Sequence, residues 1–216
     1  MCLACDATRT GSEPELARAL GDLAGHPYLV AWRGGVLERE DLKLFAAEHG
    51  RLVGATALAT KRVARAAPDL AGMVLAGARA QADADAARWE AFARATGWID
   101  GAPRPRALAS TTATARAIAD SARGDLATAL VALWAVAAAE RAATPSFPST
   151  LFKHYGIDGA GAVWFDRRLG APAIPLLRAA HAAGAGAGGG APPAAEAMAI
   201  VAALGHFYDA LDARRA

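Results

Sequence analysis

The chain has 216 residues, with 23 Lys+Arg against 21 Asp+Glu and a formal net charge of +2. That length is one ordinary domain, and that charge balance excludes a strong commitment to a polyanion. Hydrophobic residues make up 54% and charged ones 20%, which excludes intrinsic disorder, and a chain of this size buries roughly 70% of its unfolded surface. Alanine is about 29% of the residues, far above ordinary usage, and favours an all-α protein.

No run of Lys or Arg exceeds two residues, so nucleic acid is not expected as a partner, since phosphate binding needs clustered cations. Cys2 and Cys5 form a lone C-x-x-C with no second ligand pair, and read as incidental thiols. Residues Met1 to Thr10 lack an apolar signal core, and with no disulfide framework a cytoplasmic location is expected. The longest uncharged helical run, Leu126 to Ala139, is shorter than the roughly 20 residues of a membrane span, and reads as a buried core helix.

In chain order, residues 1–11 read as a flexible N-terminus and 12–216 as a single helical domain. Ser12-Glu13-Pro14-Glu15 has capping-box spacing ahead of Leu16, Leu20 and Leu23, which predicts a first helix. His26-Pro27 ends it, and the apolar segment Tyr28 to Trp32 leads to a turn at Gly34-Gly35. A long amphipathic helix follows from about Glu38 to Ala66, with Leu42, Phe45, His49, Leu52, Val53 and Thr56 on its inner face. Pro68-Asp69 restarts the chain into a third helix that stops at Thr96-Gly97.

Further helices are predicted over Ser110 to Ala122 and from Asp125 to about Ala143. The Pro-rich stretch Thr144 to Ser149 reads as a break, followed by short helices over Leu151 to Tyr155 and Ala160 to Leu169. Another helix is expected over Pro172 to Ala183, then a Gly/Ala-rich linker at 184–191 and a last helix from Pro193 to about Ala213. The sum is one bundle of about seven helices.

Chemistry is sparse. The Gly-rich linker lacks the lysine and hydroxyl of a phosphate loop, and no strand precedes it. His26, His49, His154, His181 and His206 show no metal-binding spacing, and there is no G-x-S-x-G. Two acids stand out. Glu140 follows a long uncharged run on the most apolar helix, where a carboxylate must be paired, solvated in a cavity or protonated; its alternative is a helix end meeting solvent or Arg141. Glu48 lies beside His49 at the margin of the inner face, with a solvated face as its alternative. Trp89, Trp134, Tyr155, Trp164 and Phe207 read as core packing or as cavity lining.

The stretches His26-Pro27-Tyr28-Leu29, Gly35-Val36-Leu37 and Leu42 to Glu48 resemble the opening motif of the heme-oxygenase-like helical superfamily, which includes TenA-type thiaminases, PqqC and non-heme iron oxidases of the CADD type. Trp89, Phe92 and Thr96-Gly97 resemble its next helix end, and Lys153 to Asp158 with Trp164-Phe165 is similar to the HYGI passage of the iron-oxidase branch. The resemblance implies a heme-oxygenase-like bundle and a homo-oligomer, such as a homodimer.

Position by position, the resemblance transfers little chemistry. The TenA catalytic cysteine would fall within Val131 to Ala135, where there is none, and Glu48 falls near the TenA substrate-binding Asp. The iron ligands would fall near Ala78, Asp85, Glu140, Arg168, Pro172 and Pro175, so that only Glu140 is clearly kept. Glu140 and Arg168, with Asp85 nearby, are therefore expected to form an ionic network where relatives hold metal.

Three functions follow from the resemblance. The first is a small-molecule enzyme or ligand-binding protein with a central cavity and no metal or other cofactor. There Glu48 and Glu140 transfer protons or hold an amine-bearing substrate, and Asp85, Trp89, Tyr155 and Arg168 bind it. The second is an atypical iron oxidase with ligands such as Asp83, Glu90 or His181. The third is a non-catalytic partner or scaffold protein.

Overall fold

The computed structural model describes residues 13–67, 76–98, 105–144, 147–168, 179–180 and 194–215. These form nine α-helices and one 3-10 turn, with no strand among the described residues. The order is α1 (Glu13–Ala24), α2 (Pro27–Arg33), α3 (Arg39–Ala66), α4 (Ala76–Ala95), α5 (Ala109–Ser121), α6 (Leu126–Ala143), α7 (Phe147–Tyr155), the turn Gly159–Gly161, α8 (Val163–Arg168) and α9 (Ala194–Asp212).

Local chemistry explains most boundaries. The apolar segment after His26 is itself a helix: Pro27 opens α2, and the His26 ring nitrogen Nδ1 accepts the Tyr28 N–H at 3.2 Å. At α3 the Asp41 carboxylate accepts the Glu38 N–H at 2.8 Å, closing a capping box. Helix α4 stops at Gly97, whose φ of +95° suits glycine. There the Trp98 N–H reaches the Ala93 carbonyl and the Gly97 N–H the Arg94 carbonyl, the pairing of a Schellman end. Asp125 caps α6 by accepting the Thr128 N–H at 2.9 Å.

The proline-rich break is shorter than the sequence suggests, because α7 begins at Phe147 rather than Leu151. Pro148 sits in the first turn, where a missing N–H costs nothing. Phe147 is fully buried and stacks on Trp32 at 4.2 Å between ring centroids, which fixes that start. The helix expected over Pro172 to Ala183 lies outside the described residues except for Ala179 and Ala180, and the linker at 184–191 and residues 1–11 lie wholly outside them.

Helix α3 is the spine of the bundle and packs against α4, α5 and α6, while α9 packs against α1, α5 and α6. Two side-chain ties hold α5 to α9: Thr114 donates to the Ala203 carbonyl at 2.9 Å, and Ser121 donates to the Glu196 carboxylate. By length and composition α6 and α9 are apolar enough to cross a membrane. Both instead turn apolar faces into the bundle, with eleven α6 residues and seven α9 residues buried.

Candidate functional site: a buried histidine and glutamate in an aromatic core

The inner face of α3 presents Phe45 and, one turn on, His49 to the centre of the bundle. Four rings surround the His49 imidazole: Phe45 stacked at 4.9 Å, Trp89 at 4.8 Å, Trp164 edge-on at 5.3 Å and Phe207 at 5.9 Å. They come from α3, α4, α8 and α9. From the last turn of α6, Glu140 brings Oε1 to 3.6 Å from His49 Nε2, with side-chain exposures of 5% and 3%. The Tyr208 hydroxyl on α9 is also buried, and its pKa is pushed far above the ordinary value, first by burial and then by the negative charge of Glu140. A carboxylate, an imidazole and a phenol thus share one water-poor region.

Trp89 is held in place by its own polar end. Its indole N–H donates to the Ala46 carbonyl at 2.9 Å, across the α3–α4 contact. Gly50 allows this approach, since a Cβ there would lie 2.5 Å from the indole nitrogen.

Glu48 is fully buried, yet its carboxylate faces the start of α5. It accepts the Leu108 N–H at 2.9 Å and lies 3.6 Å from Arg51 Nε. A negative charge at a helix N-terminus satisfies an orphan donor and complements the helix dipole. Asp85 is buried and pairs with Arg88 on its own helix at 3.2 Å. Tyr155 is half-buried, and its hydroxyl reaches the Trp32 carbonyl at 3.5 Å. Burial raises its pKa, a backbone hydrogen bond at Leu37 opposes the shift and Asp41 adds to it.

Of the expected site residues, Glu140 is part of this region and Trp89 stacks beside His49 in it. Glu48, Asp85 and Tyr155 are engaged at other contacts. The Arg168 side chain, and with it the expected Arg168–Glu140 network, lies outside the described residues, as do His181 and the Asp83 side chain. Glu90 is exposed, and Trp134 is half-buried against the core. Among the described residues no three His, Cys, Asp or Glu side chains gather as a metal site, so a two-iron donor set is not assembled from them.

His49 and Tyr208 are the members of the region that motif reasoning passed over. His49 was visible as part of the inner stripe of α3, but a lone histidine without i, i+4 company carries no metal signal. Tyr208 follows Phe207 on an apolar helix and reads as core.

The nine helices of the described residues pack around an aromatic core with a buried acid and base at its centre, an all-α bundle. A TenA homolog from Pseudomonas syringae pv. tomato str. DC3000 has the same fold, with a TM-score of 0.73 over 94% of this chain and 90% of that chain, at 16% sequence identity. No protein-family model and no curated protein matches the sequence.

Proposed function

We propose that this protein is a TenA/PqqC-like small-molecule enzyme or ligand-binding protein whose site lies in the bundle core at Glu140, working without a metal. The observation that carries the proposal is the buried His49–Glu140 pair. Burying an acid and a base together costs several kcal/mol per ion before their attraction returns it, so an apolar pair of similar volume would serve stability at least as well. What the pair adds is chemistry. A carboxylate in an aromatic-lined, water-poor region favours a cationic amine, and an imidazole beside it accepts or returns a proton.

In this proposal Glu140 is the acid that holds the amine or moves the proton, His49 is its partner, and Trp89 supplies an apolar wall and a π face. Glu48 keeps a structural share, because its carboxylate is committed to Leu108 and Arg51. The TenA-like fold supports the small-molecule class without naming the substrate.

The test is a thermal-shift screen of aromatic and aliphatic amines against the wild type and Glu140→Gln. A ligand of the site raises the wild-type Tm by mass action and leaves the variant unmoved. A set of amines that shifts both proteins equally, or neither, would count against the core site. Iron content after anaerobic incubation with ferrous iron and desalting separates the oxidase alternative: stoichiometric iron that Glu140→Ala loses would replace the proposal.

A further inference from the structure

His26 joins two helices through the two nitrogens of one ring. Its Nδ1 accepts the Tyr28 N–H at 3.2 Å and so caps α2, while its Nε2 lies 3.1 Å from Asp209 Oδ1 near the end of α9. Pro27 brings no N–H to the first position of α2, so the Tyr28 N–H is the first donor that this helix offers. The ring is 11% exposed and lies against the Tyr208 ring at 5.7 Å between centroids.

These contacts fix where the ring carries its hydrogen. A backbone N–H can only donate, so Nδ1 is bare. The His26 hydrogen bond, ahead of any other cause, holds the Asp209 carboxyl below the usual carboxylate range. Asp209 is thus an ionised acceptor, and Nε2 bears the hydrogen. A second proton can enter only at Nδ1, where it would face the Tyr28 N–H donor to donor. The imidazolium would lose its contact with α2, whereas its attraction to Asp209 would grow.

We propose that His26 is a pH-operated latch: the neutral ring ties α2 to α9, and the protonated ring keeps Asp209 and lets go of the start of α2. The released element matters to the core, because Tyr28, Leu29, Ala31 and Trp32 of this seven-residue helix are all buried. Trp32 meets Phe45 edge-on at 4.6 Å and Phe45 stacks on His49 at 4.9 Å, so α2 is two ring contacts from the His49–Glu140 pair. Of the other groups around the ring, Tyr28 and Tyr208 keep their protons on acidification, since burial raises both phenols. On α9, His206 Nδ1 lies 3.4 Å from Asp209 Oδ2 and is a second histidine on the same carboxylate. From the α1 side, the Leu23 carbonyl accepts the His26 N–H at 3.1 Å.

The experiment is hydrogen exchange of the full chain between about pH 8 and about pH 5, the interval in which histidines change charge, corrected for the intrinsic rate at each pH. The His26 ring is followed by NMR in the same samples. At the alkaline end it is expected as the Nε2–H tautomer. As it takes up a proton, the α2 amides are expected to lose protection at least about fivefold, the loss of one helix cap read as a local opening, while α5 and α6 keep theirs. His26→Asn supplies a cap that does not titrate and is expected to hold α2 protection level across the range. His206→Gln is expected to respond like the wild type. An Nδ1–H tautomer at the alkaline end, α2 protection unchanged through the ring's titration, or a loss shared equally by α5 and α6 would overturn the proposal. So would the same loss in His26→Asn, or a response abolished by His206→Gln.

Discussion

His49 on α3 and Glu140 on α6 meet at 3.6 Å in a region from which water is almost excluded. Removing either partner takes this contact from a buried polar group beside aromatic rings, and losing one side of a buried pair costs about 3–5 kcal/mol. Glu140→Ala and His49→Ala are each expected to lower stability by about that amount, and the double variant by clearly less than the sum. Urea denaturation of the four proteins measures this directly. Additive losses would mean that the two groups are held by separate partners rather than by each other.

Glycines on α3 give an opposite pair of expectations. Gly54 is exposed, and a Cβ there meets no atom within 4 Å, so Gly54→Ala should gain about 0.5–1 kcal/mol from helix propensity alone. Gly50 lies one turn earlier, where a Cβ would press 2.5 Å from the Trp89 indole nitrogen and disturb its bond to the Ala46 carbonyl. Gly50→Ala should lose about 1–3 kcal/mol, as overpacked cores do. Thermal melts of the two variants should move in opposite directions, and a Gly50→Ala protein as stable as Gly54→Ala would show that the indole has room to retreat.

The same residues mark what sequence alone can tell. The α3 stripe of Phe45, His49 and Leu52 is legible because a period of 3.6 residues places them together, and Glu140 is legible because a lone charge in an apolar run demands an explanation. Their meeting is not legible, since it depends on how α3 crosses α6. Glu48 shows the complementary limit: its hydrogen-bond partner, Leu108, is sixty positions away in the sequence, and only the packing of α3 on α5 shows that its carboxylate caps a helix. Pro148 was misleading for a local reason, because a proline in a first helical turn and a proline in a loop look alike in sequence.

Tyr28 and Tyr208 make alkaline stability a test of the core. Burial raises both phenols well above the ordinary value of 10.0, helped at Tyr28 by Asp41 and at Tyr208 by Glu140. In the unfolded chain each phenol ionises near its ordinary value, while in the fold each keeps its proton. The stability they support is therefore fully present below about pH 10 and is lost as pH rises toward the folded values, at about 1.4 kcal/mol per pH unit for each tyrosine. Denaturant midpoints measured from pH 8 to pH 11.5 should stay level and then fall, and Tyr208→Phe should roughly halve the steep part of the decline. Tyr208→Phe should also leave the helical content unchanged, because its ring packing against His26, Tyr28 and Phe207 needs no hydroxyl. A decline as steep in the variant as in the wild type would assign alkaline unfolding to other groups and remove Tyr208 from the water-poor region around Glu140.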